Sequence, residues 1–381
     1  MTPTELKQAI RLSKKAKIPL MIWGHHGVAK SSVVRQVAEE DGIGFIDFRC
    51  SQIEATDLRG WPSRIEDQDG CGMTVYNPPA ELPRDPEGEG LFFLDELNRA
   101  DDPVIQAVFQ LITERRIGPY RLPEGWHVVS ACNFTEGYHV NDFCSAFVGR
   151  FCHVEVQAAN EGFFSDWSTY ITQRHGDVAA KAIQFIAQDM SNISSKKKIG
   201  MDLEIEPSPR LWDAVIRLEK AADGFDKNIT REMRSGLIGT ALSLAYERAT
   251  FEITPKEIVE GGVESVKAKL TKATRDQRSA LAWGVCAFVK AKPKLKEAQV
   301  NNVLDLMDWY LDSDQDIAIV IISQILREYM GKHAVAFACN KALAELLGEE
   351  KNNHTDTLWY RNLAKRKRLY EKTKQILASE G

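Results

Sequence analysis

The first 158 residues alternate between short apolar runs and segments whose apolar residues recur with helical spacing. Short apolar runs bounded by turn residues are typical of buried strands. These runs predict strands at 20–23, 44–48, 91–94, 126–131 and 152–156. The helical spacing predicts helices at 4–17, 30–40 and 103–113. Because strands that alternate with helices pair in parallel, this part of the chain is predicted to be an α/β fold with a parallel sheet.

Two segments between the predicted strands are rich in turn-forming residues. Residues 51–90 contain many Pro, Gly and Asp residues, and turn signals at 67–70 separate two short runs that could form a hairpin. Residues 117–126 predict a tight hairpin or a loop. A long loop inside a compact domain is usually functional.

Beyond residue 158 the pattern becomes helical throughout. Ser208 is a predicted N-cap, since Pro209 suits the first position of a helix. Residues 191–198 predict a polar loop between two helices. The clearest helical segments are 163–175, 178–190, 209–222, 230–248, 316–330, 334–347 and 357–378.

Composition and charge narrow the class of protein. No apolar run approaches the roughly 20 residues of a membrane span, and the N-terminus lacks the apolar core of a secretory signal. The seven cysteines are scattered without a Cys-x-x-Cys pair. This argues against a disulfide framework or structural zinc and predicts the reducing cytoplasm. The net charge of −5 is uneven, because residues 255–381 hold 21 Lys/Arg and 17 Asp/Glu.

A glycine-bearing loop joins the first predicted strand to the next helix, and it has the character of a phosphate cradle. Backbone N–H groups of such a loop and the positive end of the following helix favour an anion. Lys30 supplies a charge for the outer phosphates, and the Ser31 hydroxyl can hold Mg²⁺. Ala29 stands where the pattern G-x-x-x-x-G-K-[ST] has its second glycine. The cradle residues are Gly24, Gly27, Val28, Ala29, Lys30, Ser31 and Ser32.

Polar residues also follow two other predicted strands. Asp95 and Glu96 end the run 91–94, at the edge of an open α/β sheet where ligands bind. Asp95 could hold Mg²⁺ through a water, and Glu96 could orient or deprotonate an attacking water. The alternative is an acidic turn that caps the next helix. Asn133 follows the run 126–131 and could contact the terminal phosphate, or it could be a turn residue.

Taken together, these motifs resemble those of the AAA+ ATPases. The resemblance is strongest to the MoxR-type and dynein-related branch, which carries Ala before the P-loop lysine, as at Ala29. It covers residues 4–254 and implies a P-loop NTPase core with a five-stranded parallel sheet at 1–158, followed by an α-helical lid at 159–254. Residues 255–381 are a predicted all-α C-terminal domain. The matching strings are Gly24–Ser31, Asp95–Ala100, Asp57–Gly60, Thr113–Arg116, Ala146–Phe151 and Pro207–Arg210.

The resemblance implies a role for each matching position, with ATP and Mg²⁺ as ligands. Lys30 would contact the β- and γ-phosphates, and Ser31 would bind Mg²⁺. Arg150 would act as an arginine finger on a neighbouring subunit's nucleotide, so the chain is expected to form a ring, a hexamer as in the family. The remaining implied roles are Asp95 as the Walker B acid, Glu96 as the catalytic base, Asn133 as sensor 1 and Arg210 as sensor 2.

The predicted function is ATP-driven remodelling of a partner protein, which in this family is often a von Willebrand A domain protein or a metalloenzyme awaiting activation. One alternative is a nucleic-acid-dependent motor that uses the basic segment 361–374, although a solvated face that balances an acidic surface is the preferred interpretation of that segment. Another alternative is an ATP-bound scaffold with little turnover. His25 and His26 are interpreted as loop residues rather than metal ligands. Trp61 and Tyr76 could grip a polypeptide or pack the insert at 51–90.

Overall fold

The structure is a computed structural model that describes residues 1–66, 72–134, 143–158, 160–194, 197–198, 204–292, 294–330 and 354–379. The chain divides into two compact units, Met1–Ala158 and Ala159–Gly381. The predicted turn at 67–70 and the predicted helix at 334–347 lie outside the described residues. The further division of the second unit into a lid and a C-terminal domain stays a prediction.

A five-stranded sheet forms the centre of the first unit, in the order β2-β5-β8-β1-β9, and every pair in it is parallel. This confirms the predicted α/β core with a parallel five-stranded sheet. The strands of the unit are β1 Leu20–Trp23, β2 Gly44–Arg49, β3 Trp61–Glu66, β4 Gly72–Asn77, β5 Gly90–Asp95, β6 Arg116–Ile117, β7 Tyr120–Arg121, β8 Trp126–Cys132 and β9 Cys152–Glu155.

The two strands at the middle of the sheet, β5 and β8, are buried along their whole length. Parallel strands covered on both faces are expected to be mostly apolar, as these two strands are, although β8 also buries His127 and Ser130. The Trp126 ring lies across the amino ends of the neighbouring strands. A Cβ on Gly90 would lie 2.6 Å from that ring, so only glycine fits there. The sheet therefore depends on close packing at this edge.

Helices cover the sheet and link its strands. The first helix begins with a capping box, in which Glu5 N donates to Thr2 Oγ1 and Thr2 N donates to the Glu5 carboxylate. Its apolar residues Leu6 and Ile10 are fully buried. The helices of this unit are α1 Pro3–Ala16, α2 Lys30–Asp41, α3 Ala55–Arg59, α4 Asp102–Glu114 and α5 Ser145–Val148.

Both predicted hairpins are present. In the first, β3 pairs with β4 in an antiparallel register that sets Trp61 opposite Asn77. In the second, β6 pairs with β7 around Gly118, whose φ of 56° is left-handed. The short helix α3 was not predicted, because it lies in a segment whose Pro, Gly and Asp content indicates a loop.

The second unit is mostly helical, as predicted beyond residue 158. One two-stranded ladder, β10 Lys197–Lys198 with β11 Glu204–Ile205, lies partly within the predicted polar loop. The helices are α6 Glu161–His175, α7 Ala180–Gln188, α8 Pro209–Ala221, α9 Lys227–Ile238, α10 Thr240–Arg248, α11 Pro255–Gly261, α12 Val263–Lys272, α13 Arg275–Lys290, α14 Glu297–Ser313, α15 Gln315–Met330, α16 His354–Ala364 and α17 Lys367–Ser379. Among the described residues, no helix has the length and apolar character needed to cross a membrane.

Two predictions of single long helices were wrong. The segment 230–248 is divided between α9 and α10 at Gly239, whose φ of 82° and ψ of 149° interrupt the helix. The segment 357–378 is divided between α16 and α17, and Arg366 at this break pairs with Asp305 and Asp308 of α14. Apolar spacing continued through both breaks, so periodicity alone did not reveal them.

The basic segment 361–374 packs on α14 and meets its carboxylates. Arg361 lies 3.0 Å from Glu297, and Arg368 pairs with Asp312. Arg366 lies 2.6 Å from a carboxylate oxygen of Asp305. The arginines of this segment therefore balance an acidic helix face within the same unit.

We expect Phe92→Ala to destabilise the first unit strongly. Phe92 is fully buried in β5 and stacks on Phe48 with ring centroids 5.3 Å apart. Truncation leaves a cavity and should lower the free energy of unfolding by about 3–5 kcal/mol, measured by urea denaturation. Leu12→Ala, at a side chain 68% exposed on α1, is the matched control and should change it little. Equal effects of the two substitutions would contradict the assigned core.

Candidate active site

The loop between β1 and α2 has a backbone that few residue types tolerate. Gly27 has φ 73° and Ala29 has φ 67°, both left-handed. A Cβ on Gly24 would lie 2.8 Å from the carbonyl oxygen of Val156, so glycine is required where the loop leaves the sheet. Helix α2 begins at Lys30, and the first N–H groups of a helix have no intrahelical acceptor. These groups are therefore available to an anion.

Lys30 is buried, with 7% of its surface exposed, and its ammonium lies between two strand ends. Nζ donates to the carbonyl oxygens of Gly24 at 2.7 Å and His25 at 3.0 Å. It also donates to Asn133 Oδ1 at 2.7 Å, beyond the end of β8. The charge of Lys30 is thus held by dipoles of the loop and of Asn133, and a bound phosphate would exchange with some of these acceptors.

Ser31 and Asp95 form a second contact between the loop and the sheet. Ser31 Oγ donates to Asp95 Oδ2 at 2.7 Å, and the backbone N–H of Glu96 donates to Asp95 Oδ1 at 2.9 Å. Hydroxyl and carboxylate oxygens are the donors that Mg²⁺ prefers. The described residues contain no group of three His, Cys, Asp or Glu side chains able to hold a metal. The pair therefore fits Mg²⁺ whose other ligands are phosphate oxygens and water.

The backbone and side chain of Glu96 are both constrained. Its φ of 53° is left-handed, which turns the chain sharply after β5. Its carboxylate oxygen Oε2 accepts from Ser51 Oγ at 2.5 Å and lies 3.3 Å from Arg99 Nη1. Sequence reasoning missed Ser51. It follows β2, and only the observed strand order shows that β2 is next to β5.

Asn98 fixes the backbone of Asn133. Its side-chain Nδ2 donates to Asn133 O at 2.7 Å, and its Oδ1 accepts from Asn133 N at 3.3 Å. Asn98 is fully buried, so these bonds are shielded from water. The sequence showed Asn98 only as part of the string at 95–100, with no role of its own. We infer that it positions Asn133 beside Lys30.

The thiol of Cys132, the residue before Asn133, is neutral at pH 7. Burial raises the pKa of Cys132, the last residue of β8, to about 12, and the charge of Lys30 opposes that shift only in part. At neutral pH, Cys132 therefore adds no charge next to Lys30.

Arg150, another predicted site residue of the first unit, lies apart from this cluster. Arg150 is exposed after α5, where Nη1 donates to Ala146 O at 2.8 Å and the guanidinium lies 5.2 Å from the centre of the Phe109 ring. Within the described chain it joins none of the hydrogen bonds around Lys30 and Glu96. Arg210 is exposed in the first turn of α8, in the second unit. The structure thus brings together Lys30, Ser31, Asp95, Glu96 and Asn133.

Aromatic side chains pack against the loop 24–32. The His25 ring meets Phe134 edge-on at 5.3 Å, and Trp23 stacks with Phe134 at 6.2 Å. Trp23 Nε1 donates to His153 Nδ1 at 3.0 Å, and His153 Nε2 then donates to Val148 O at 2.9 Å. This packing agrees with the interpretation of His25 as a loop residue.

Comparison with solved structures gives matches at low identity and low TM-score. No protein-family model matches the sequence, and no curated protein matches it. The RuvB Holliday junction branch migration motor of Thermotoga maritima is 14% identical, with a TM-score of 0.32 over 70% of this chain and 80% of that chain. NtrX from Brucella abortus is 14% identical, with a TM-score of 0.37 over 84% and 67%. A full-length MCM homologue from Methanopyrus kandleri is 16% identical, with a TM-score of 0.28 over 61% and 55%.

We expect Ala29 to accept glycine but not valine. A left-handed backbone costs an L-residue about 1–2 kcal/mol and is a severe outlier for a β-branched side chain. Ala29→Val should therefore lower the free energy of unfolding by more than about 1 kcal/mol and weaken the ATP binding that the sequence predicts for this loop. Ala29→Gly, the matched control, should stay within about 1 kcal/mol of the wild type, as measured by thermal unfolding and calorimetry. Valine tolerated as well as glycine would contradict the loop conformation.

Proposed function

We propose that this chain is an AAA+ ATPase that binds MgATP in the loop 24–32 and hydrolyses it at the carboxyl edge of the parallel sheet. The observation that carries the proposal is the convergence of five polar side chains from three strand ends. Lys30 and Ser31 follow β1, Asp95 and Glu96 end β5, and Asn133 follows β8. Hydrogen bonds of 2.7 Å join the first loop to each of the other two.

The chemistry follows from the charges that these residues supply. Phosphoryl transfer requires positioning and the cancellation of negative charge, with little covalent chemistry from the protein. The Lys30 ammonium and the α2 N-terminus attract the phosphates, and Asn133 orients the outermost one. Ser31, with Asp95 nearby, would hold Mg²⁺, which would supply positive charge against the phosphate oxygens. Glu96 accepts a proton from the attacking water.

Ser51 and Arg99 hold the Glu96 carboxylate in one orientation, because both donate to its Oε2. A base already engaged in this way has one oxygen left for water. We therefore assign Ser51 as a positioning residue for Glu96. The presence of a carboxylate at Glu96, held by two side chains, also favours ATP hydrolysis over the alternative of an ATP-bound scaffold with little turnover.

Arg150 is proposed to act on the nucleotide of a neighbouring subunit. Its exposure and its separation from the Lys30 cluster agree with action in trans. A ring, most simply a hexamer, would then be the active form, and hydrolysis would depend on assembly. Arg210 is proposed to reach the γ-phosphate from the helical region.

We further propose that the ring remodels a client protein, in the manner of the MoxR-type branch, with a von Willebrand A domain protein as the first candidate. The hairpin β3–β4 supports contact with a partner. Trp61 is 69% exposed and Tyr76 is 47% exposed. This exposure supports the interpretation that the two side chains contact a polypeptide over the interpretation that they pack the insert.

The alternative of a nucleic-acid-dependent motor loses its main support. The arginines of the basic segment 361–374 pair with carboxylates of α14 rather than remaining available to phosphates. A nucleic-acid contact through these arginines would have to break the pairs, which leaves only the lysines of the segment for phosphates. ATPase activity that is unaffected by DNA or RNA is therefore expected.

We expect Glu96→Gln to bind MgATP with nearly wild-type affinity and to lose hydrolysis by a factor of at least about 100, because the amide cannot accept a proton. Phosphate release and calorimetry measure the two quantities separately. Ser51→Ala should lower kcat by a smaller factor with little change in ATP affinity. A Glu96→Gln protein that hydrolyses at the wild-type rate would refute Glu96 as the base.

The action of Arg150 in trans predicts rescue in mixed assemblies. Arg150→Ala and Glu96→Gln should each be nearly inactive alone. When mixed, a Glu96→Gln subunit supplies its intact Arg150 to a neighbour whose Glu96 is intact, so part of the ATPase activity should return. Activity is measured over a series of mixing ratios, with Arg217→Ala, an exposed arginine of α8, as the control that keeps its own activity. No recovery at any ratio would contradict the model of a shared site.

A further inference from the structure

A cavity lies at the amino-terminal edge of the sheet in the first unit. Its volume is about 490 Å³, within the range of roughly 300–1,000 Å³ typical of small-molecule sites. It is bounded by the second half of α1, the end of α2 and the residues that precede β5 and β8. The loop 24–32 follows the carboxyl end of β1, so the cavity and the candidate active site lie at opposite edges of the sheet.

The walls of this cavity carry more positive than negative charge. The cations are Arg11, Lys14, Lys15, Lys17 and Arg115, and the acids are Asp41, Glu89 and Glu124. Each acid lies close to a cation, at 2.7 Å for Arg11–Asp41, 2.7 Å for Lys14–Glu89 and 3.2 Å for Lys17–Glu124. Arg11 also pairs with Glu40, outside the cavity, at 2.8 Å. Five cations against three acids leave a local excess of two positive charges, although the chain as a whole carries −5.

The excess resides mainly on Lys15 and Arg115. Lys15 is exposed and has no ion pair or hydrogen bond in the described part of the chain. Arg115 donates to the neutral carbonyl oxygens of Pro123 at 2.7 Å and Trp126 at 2.8 Å, which fix the guanidinium without cancelling its charge. Its Nε lies 4.0 Å from Glu124 Oε1, a carboxylate that Lys17 already shares.

Two buried donors on these walls have no acceptor among the described residues. They are Arg115 Nε and the indole Nε1 of Trp126. An N–H group can be satisfied only by an acceptor, and buried polar groups are rarely left unpaired. Neither atom is open to solvent, so the two donors leave the inner walls short of acceptors, and oxygen lone pairs suit these walls better than further N–H groups.

The pKa of the neighbouring His127 is lowered in part by the same positive charges. His127 Nε2 donates to Ser13 Oγ at 3.0 Å, because the Ser13 hydroxyl gives its own proton to Ile10 O at 2.9 Å. Burial, followed by the charges of Arg115 and Lys14, lowers the pKa of His127 to about 4. His127 is thus neutral at pH 7 and adds no charge to the wall.

We propose that this cavity binds a small organic dianion, a phosphate monoester or a dicarboxylate, between Lys15 and Arg115. The size of the cavity, the excess of two positive charges and the unfilled donors all select this class of ligand. Guanidinium groups bind carboxylate and phosphate with charge-assisted hydrogen bonds. The site is separate from the proposed ATP site, since the two lie at opposite edges of the sheet.

The test uses the full chain with Lys30→Ala, which weakens phosphate binding at the loop 24–32. Phenyl phosphate and succinate are titrated separately at low salt, with binding followed by calorimetry and by the ring resonances of His127. We expect saturable binding of at least one probe and movement of the His127 signals. Binding of phenyl phosphate alone identifies the site as one for phosphate monoesters, and binding of succinate alone as one for dicarboxylates.

The matched pair of variants is Lys15→Glu and Lys272→Glu, both at exposed lysines, the second outside the cavity. Neither side chain packs in a core, so both variants should fold. Lys15→Glu should weaken binding at least about tenfold, because it reverses a charge next to the ligand. Lys272→Glu should leave the affinity unchanged. Absence of saturable binding by either probe, or equal affinity in the two variants, would overturn the proposal.

Discussion

The structure of the candidate site depends on the hydrogen bonds of one buried ammonium group. Lys30 donates to Gly24 O and to Asn133 Oδ1, each at 2.7 Å, and so joins the loop after β1 to the residue after β8. A buried charge is tolerated only when its hydrogen-bonding capacity is met. The sheet meets it by placing β1 and β8 side by side. The same hydrogen bonds stabilise the buried Lys30 ammonium and hold it where a phosphate of the proposed nucleotide would lie.

The rest of the site extends from this contact along the edge of the sheet, in the order of its strands. Ser51 follows β2, Asp95 and Glu96 end β5, and the loop 24–32 follows β1. Ser51 donates to Glu96 at 2.5 Å across the adjacent strands β2 and β5, and Ser31 donates to Asp95 at 2.7 Å across the end of β8, which lies between β1 and β5. An edge built in this way is preorganised, which is the main means by which a protein stabilises charge that develops during reaction.

Features that depend on the local pattern of residues along the chain could be predicted from the sequence. Apolar runs located every strand of the main sheet, and the glycines with Lys30 located the loop. Interactions that depend on strand order could not be predicted, since nothing local pairs Ser51 with Glu96 or Asn98 with Asn133. Backbone breaks were also missed where apolar spacing continued, as at Gly239.

The most direct measurement of the central claim is the affinity for MgATP of the wild type and of Lys30→Ala, determined by calorimetry. Loss of a buried charge-assisted contact of about 1.5–3 kcal/mol predicts affinity lower by a factor of about 10–100. Lys272→Ala, at an exposed lysine of the second unit, should bind as the wild type does. Equal affinity of the wild type and Lys30→Ala would contradict the account, because the ammonium would then have no part in binding the nucleotide.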